Sequence, residues 1–352
     1  MNKKSTNNDV APQPQATSAR FTHVALAHGG GGQLTDVLLS DIVMPRLANP
    51  ALSQLLDSGI IPGGKLALTI DSYVVQPLFF PGGDIGRLAV CGTVNDLAVC
   101  GAHPRALALS MILAEGLDRK VLERVLDSVA ATASEAEVRI ITGDTKVVGH
   151  GQADGMYLTT AGIGELMGHS LPHPDYIKPG DVLIINGPIG EHGLTVMLAR
   201  EMPEVESVLR SDVAPLNGLI EQLRRAIPEV VFMRDPTRGG LAGLTADLAA
   251  RTGWRINLEE THIPIRPEAK HAADMLGLDP LDIANEGKVV VVVRPGQAPA
   301  ALHAMRQHPL GREAQIIGSV TSEKDAVCTL HTSIGGWRVL QKPYGEQLPR
   351  IC

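Results

Sequence analysis

Between residues 22 and 341 the spacing of apolar and polar positions switches repeatedly between the period of a strand and that of a helix. Residues 65–71 (KLALTID), 73–80 (YVVQPLFF), 105–114, 138–142 and 156–165 are short β-rich runs and predict strands. Helices are predicted at 33–47, 84–101 and 117–136, the last with its charges gathered on one side. Prolines cluster at 172–180 (PHPDYIKPG), and a second series of elements begins there. It comprises strands opening at 181 (DVLIING), at 288–294 (KVVVVVR), near 315–320 and near 327–332, with helices at 193–200 and 239–252. This alternation predicts an α/β (α+β) protein of two domains, residues 22–168 and 169–341. Residues 1–21 are polar and aperiodic and are expected to be disordered. Residues 342–352 are expected to form a mobile, exposed tail ending in Cys352, able to reach roughly 35 Å when extended.

The composition narrows the function. Hydrophobic residues make up 44% of the 352, enough for two ordinary cores, whereas aromatics are only 3%, so platforms for stacking bases or sugars are scarce. A net charge of −7 without basic runs argues against nucleic acid or an anionic membrane as partner. No apolar run has transmembrane length and no secretory pattern follows the start, so a reducing cytoplasm is the expected compartment. The four cysteines, Cys91, Cys100, Cys328 and Cys352, have no CxxC or disulfide-framework spacing. Cys91 and Cys100 sit in an apolar helical run and read as inert.

Several segments carry candidate chemistry. The run His28-Gly29-Gly30-Gly31-Gly32 is either a flexible linker or a loop whose N–H groups wrap a phosphate chain, aided by the helix that follows. It is neither a Walker A nor a dinucleotide loop. Asp71 ends a strand, as a turn-former or as a metal-binding carboxylate. The helix within 84–101 is almost wholly small or apolar yet carries Asn95-Asp96, and a buried carboxylate needs a partner or a cation. Thr145 and Lys146, in GDTK, are placed at the end of a strand, where a lysine can meet phosphate or developing oxyanion. Asp235 and Arg238, in DPTRGG, open a helix as a cap or as an anion site. Glu286 stands at the mouth of the apolar run VVVVV, as a base or a turn residue. Together, three separated aspartates suit a hard cation such as Mg²⁺, and the glycine loops with nearby cations suit a polyphosphate, giving an ATP site without a P-loop.

The motifs HGGGG, TIDSYVVQPLFFPGGDIGRLAVCGTVNDLAVCGAHP, GDTKVV, RDPTRGGLA, NEGK and the terminal PRIC extend from His28 to Cys352. The set resembles the aminoimidazole-ribonucleotide-synthetase-like ATP-binding superfamily and, within it, the carbamoyl dehydratases of nickel–iron hydrogenase maturation. The resemblance implies a two-domain PurM-like fold and a homodimer whose N-terminal sheets join in a barrel, with ATP near the interface. It implies that a carbamoyltransferase, HypF, loads Cys352. The thiocarboxamide is then dehydrated to a thiocyanate at the expense of ATP, and cyanide passes to iron on a HypC–HypD scaffold complex. By the same resemblance Asp71, Asp96 and Asp235 are metal ligands, and Lys146 and Glu286 stand beside the carbamoylated cysteine. His28, Gly29, Gly30, Gly31, Gly32, Asp84, Asn95, Thr145 and Arg238 are nucleotide contacts. The polar extension before Thr22 departs from the pattern and is expected to be dispensable. Two rivals remain: another synthetase of the superfamily acting on a free small molecule, such as selenophosphate synthetase, and a scaffold whose terminal thiolate holds iron or docks a partner. The first would want a reactive cysteine before His28, where there is none. The second would show no Mg-dependent turnover.

Overall fold

The computed structural model describes residues 21–47, 49–168, 171–345 and 348–352. The expectation of disorder for the N-terminal extension thus falls, except at Phe21, outside the described residues.

In the first half, α1 (Gln33–Leu38) continues through a π-helical stretch, Leu39–Val43, into α2 (Met44–Leu47). There follow β1 (Gly59–Ile60), β2 (Leu66–Tyr73), β3 (Phe79–Phe80), β4 (Gly83–Asp84), α3 (Ile85–Val99), β5 (Ala102–Ala114), α4 (Arg119–Glu135), β6 (Arg139–Val148) and β7 (Met156–Leu166). The main sheet has the order β1-β2-β7-β5-β6, antiparallel except for the β5–β6 pair. The period of two along β2 buries Ala67, Thr69 and Tyr73, while Leu66, Leu68 and Ile70 face outward. Helix α3 lies against the buried face so closely that a Cβ on Gly162 of β7 would fall 2.6 Å from Thr93. Two strand expectations change. The run 73–80 does not form one strand: only Tyr73 belongs to β2 and only Phe79–Phe80 to β3, with Pro77, which has no N–H, between them. The GDTK motif, expected at a strand end, lies inside β6, which pairs on to Val148.

In the second half, β8 (Val182–Ile185), α5 (Glu191–Glu201), α6 (Asn217–Ala226), β9 (Phe232–Arg234), α7 (Gly240–Thr252), β10 (Ile256–Glu259), α8 (Pro267–Leu276), β11 (Val290–Val293), α9 (Ala298–Arg306), β12 (Gln315–Val320), β13 (Cys328–His331) and β14 (Trp337–Leu340) follow. Their sheet has the order β14-β13-β10-β12-β8-β11-β9. Strand β11 is buried on both faces, which is why VVVVV shows no alternation: Val290 and Val292 pack towards α7, Val291 towards α6 and α9.

The halves share core. Residues of α3 and α4 cluster with Leu194 of α5, Ala269 of α8 and Ile283. The polar pin at this seam is Asn95, which is 1% exposed. Its Nδ2 donates to the carbonyls of Ala214 (3.2 Å) and Glu286 (3.3 Å), and its Oδ1 accepts from the Leu216 N–H (2.7 Å). Asn95 is therefore spent in joining the domains, which corrects its expected role as a nucleotide contact. Among the described residues no helix is long and apolar enough to cross a membrane. Truncation of Asn95 to alanine leaves three buried backbone groups without their partner and should cost about 1–3 kcal/mol. Urea unfolding would measure this, and an unchanged midpoint would show that the seam does not depend on the pin.

Candidate active site

The site is built from carboxylates brought by five separate segments. Asp71 lies on β2 and Asp96 on the last turns of α3, close enough for each to act electrostatically on the other. The Thr69 hydroxyl lies 2.9 Å from Asp96 Oδ2, and Tyr73 donates to Asp71 across 3.3 Å. Asp235 follows β9. It does not cap α7, whose N-cap is Gly239, so its carboxyl is left to the site. The fourth, Asp57, precedes β1; it forms a 3.1 Å ion pair with Arg234 and acts electrostatically on Asp71, Asp96 and Asp235. Sequence reading missed Asp57, whose one signal was an Asp-Ser pair before a strand. Burial, then the charge of Asp57, pushes Asp235 up to about 7. Burial, then the neighbouring Asp71 and Asp235, holds Asp96 well above the ordinary carboxylate range.

Glu286 is placed by its flanking residues. Asn285 donates from Nδ2 to the Pro236 carbonyl (3.0 Å) and accepts from the Gly190 N–H (2.8 Å), which ties the NEGK turn to the DPTRGG turn. Asp212 accepts from the N–H groups of Glu286 and Gly287, each at 3.2 Å, and from Lys288 at 3.0 Å. Burial, followed by the charges of Asp235, Asp212 and Asp71, raises the Glu286 carboxyl well above its usual range. A carboxyl so raised can hold or take a proton near neutral pH.

Arg238 and the glycine loop close the cleft from the other side. Arg238 donates to the Gly29 carbonyl across 2.8 Å. Gly31, at φ +72°, leaves no room for a Cβ, which would stand 2.9 Å from Arg238 Cβ. A cavity beside it is lined by Gly31, Asp235, Arg238, Gly240, Asp247 and Lys342. The start of α1, expected to offer its N–H groups to phosphate, is engaged: Gln33 donates to the Pro343 carbonyl (2.9 Å) and Leu34 to that of Tyr344 (3.1 Å). A Cβ on Gly32 would lie 2.5 Å from the same Pro343 oxygen. His28 is buried, accepts the Ala25 N–H at 2.9 Å and stacks against Phe21, so it shapes the loop.

The tail is docked. Cys352 accepts through its carbonyl from the Val74 N–H and Arg350 from that of Gln76, both at 3.1 Å, so the chain end runs antiparallel to residues 74–76. This pairing occupies the stretch that sequence reading assigned to a continuous strand. Leu348 and Ile351 are buried, and Cys352 is half-buried. The expected exposed and mobile tail is thus, over 348–352, seated on the body, with the Cys352 main chain fixed three residues beyond Asp71.

Three expected residues stand apart. Asp84 caps α3, accepting from Gly86 and Arg87, at the opposite end of the helix from Asp96 and about 18 Å away at 1.5 Å per residue. Lys146 and Thr145 lie on the exposed edge strand β6, separated from β2 by β5 and β7, about 14 Å at the usual strand spacing. There Lys146 pairs with Asp144 at 2.7 Å. Within one chain they do not reach Asp71 or Glu286.

The cluster suits a hard divalent cation: the donors are all carboxylate oxygens, crowded enough to retain protons. Among the described residues no three side chains converge into a finished coordination shell.

The chain matches the AIR synthase related protein family in both halves, its N-terminal domain over residues 56–166 and its C-terminal domain over 178–331. The carbamoyl dehydratase HypE of Rhizobium leguminosarum bv. viciae is 45% identical over 332 residues, covering 94% of this chain and 95% of the relative. A crystal structure of a HypE–HypF complex superposes with a TM-score of 0.83 at 41% identity, covering 87% of this chain and 99% of the other. A crystal structure of HypE in complex with ATP gives 0.79 at 42% identity, covering 94% and 100%. The chain belongs to the HypE carbamoyl dehydratase family.

Because Asp235 is raised to about 7, it is largely protonated below that pH and must lose its proton to bind a cation. Mg²⁺ affinity, measured by calorimetry, should therefore increase as pH rises from 6 to 8, with proton release. Asp235→Asn should weaken binding and flatten that dependence.

Proposed function

We propose that this chain is an ATP-dependent carbamoyl dehydratase acting on its own Cys352, converting an S-carbamoyl group to a thiocyanate. The observation that carries this reading is the docked tail: the terminal cysteine is seated against Val74, just past the strand bearing Asp71. An inert C-terminus would have no reason to be pinned at four consecutive carbonyls, those of residues 349–352.

In this reading Asp71, Asp96 and Asp235 hold Mg²⁺, which would neutralise charge on the phosphates of ATP. The glycine loop and Arg238 flank the nucleotide; ATP as the ligand is supported by the ATP complex of a relative. The carboxamide oxygen attacks the γ-phosphate and displaces ADP. The amide loses one proton as its oxygen is phosphorylated and a second as the C–O bond breaks. Glu286, with its raised affinity for protons, accepts the latter. Thiocarboxamide and ATP thus give thiocyanate, ADP, phosphate and a proton. HypF supplies the carbamoyl group, a pairing supported by the complex of a relative, and a HypC–HypD complex on the same cytoplasmic route receives the cyanide.

The working form is a homodimer. Leu68 and Ile70 on β2 are 49% and 66% exposed, on the sheet face away from α3 and α4. An apolar sheet face of this kind calls for cover. A second copy laid on it would bring its own β6, with Thr145 and Lys146, to a cleft they cannot reach in their own chain, where Lys146 would steady the carboxamide oxygen.

Mass analysis of the C-terminal peptide after carbamoylation tests the reaction. Mg-ATP should remove one water, and Cys352→Ala should abolish both modification and loss. A carbamoylated peptide that keeps its water would leave a carrier or scaffold protein. Glu286→Gln should slow dehydration by about 10²-fold or more, and a full rate would place the base elsewhere. Ile70→Arg should shift the protein towards monomer in analytical ultracentrifugation and reduce turnover with it.

A further inference from the structure

The tail is held not only by strand-like pairing but by a side-chain clamp on α5. His192 is 0% exposed, and its Nε2 lies 2.7 Å from the carbonyl oxygen of Ile351, the residue before the cysteine. A carbonyl can only accept, so Nε2 carries the proton. Nδ1 lies 2.8 Å from Ser211 Oγ, which in turn accepts the Val213 N–H at 3.1 Å. The chain of donors therefore runs one way, from Val213 N–H to Ser211, from the Ser211 hydroxyl to Nδ1, and from Nε2–H to the tail. Phe80 meets the imidazole edge-on at 5.4 Å and fixes its plane. Burial holds His192 below the usual histidine range, in keeping with a neutral ring in this one tautomer.

Neighbouring contacts extend the clamp. Arg200, two turns along α5, donates to the Pro349 carbonyl at 2.8 Å. Arg350 donates to the Val74 carbonyl at 2.9 Å and pairs with Asp154 at 2.6 Å. Ser211 adjoins Asp212, the anchor of the Glu286 turn. One dipeptide thus holds the tail clamp with its first residue and the turn of the candidate base with its second.

We propose that His192 is the positioning residue of the reacting cysteine: its Nε2–H, oriented by Ser211, locks the Ile351 carbonyl and so fixes where Cys352 presents its sulfur. The inference rests on the reading of Cys352 as the site of reaction, but its test does not require that chemistry.

The test is the alkylation rate of Cys352 by iodoacetamide in the full-length protein, followed by peptide mass. Cys91, Cys100 and Cys328 are buried and serve as internal reports of intact folding. Losing one buried hydrogen bond shifts a docking equilibrium by about 2–10-fold, so His192→Phe should speed alkylation of Cys352 by that factor. His192→Gln, which restores an N–H near the Nε2 position, should return the rate towards wild type. Should His192→Phe expose the other cysteines by misfolding, Ser211→Ala gives the reading instead, with about a twofold rise expected. An unchanged rate in these variants, or a glutamine variant as fast as the phenylalanine one, overturns the proposal. In single-turnover dehydration, His192→Phe should lower the rate while leaving ATP affinity unchanged. If the wild type never dehydrates its tail but the alkylation contrast holds, the functional reading fails and the clamp stands. If dehydration proceeds and alkylation is unmoved, the clamp fails and the functional reading stands.

Discussion

Burial and mutual repulsion among Asp57, Asp71, Asp96, Asp235 and Glu286 set the terms for the rest of the molecule. Burial and the charges of neighbouring carboxylates raise Asp71, Asp96, Asp235 and Glu286, and Asp235 keeps its proton almost to neutrality. Such an arrangement persists only because the surrounding backbone is over-determined. Asn95 and Asn285, both fully buried amides, supply much of that determination by tying segments of the two domains with bonds to main-chain atoms. Positive charge entering among these carboxylates would lessen their mutual repulsion.

The same economy of parts appears at the chain end. Residues 74–76 cannot continue β2 into a longer strand, yet their N–H and C=O groups still need partners. The tail supplies them. Its polar backbone is in turn matched by His192 and Arg200, and its apolar side chains Leu348 and Ile351 fill the core at the domain seam. Farther upstream, Pro343 and Tyr344 take the N–H groups at the start of α1. Residues 342–344 thus lie against the start of α1, and residues 350–352 against residues 74–76.

The exposed apolar face of the first sheet and the solvent-facing edge strand β6 have a common meaning. Strand β6 carries the GDTK motif outward, away from the other candidate residues of its own chain, and Lys146 there is content with Asp144. Both surfaces carry exposed apolar side chains, Leu68 and Ile70 on β2 and Ile141 and Val147 on β6.

How much of this was written in the sequence differs from residue to residue. The period of two in 65–71 and 156–165, and the unbroken valines of 290–293, fixed strands and their burial, because side-chain alternation is a local property of the backbone. The small, apolar character of 85–99 likewise marked α3 as buried, and Asp96 within it as a residue needing a partner. Motif composition offered Asp71, Asp96 and Asp235 as candidates for a cation and Glu286 as a base or a turn residue, and the family resemblance assigned them roles. What the sequence could not supply was the destination of polar groups whose partners lie far along the chain. Asn95, beside Asp96, looks identical in pattern but turns its amide to Ala214, Leu216 and Glu286, 119 to 191 residues away. Ser211 and His192 carry no local signal and Asp57 only a faint one, since an isolated aspartate, serine or histidine gains meaning only from what folds against it. The terminal cysteine shows both sides: its place at the end of the chain drew attention only together with the family resemblance, and only the folded chain, by setting residues 350–352 against residues 74–76 and His192, decided that it would be held.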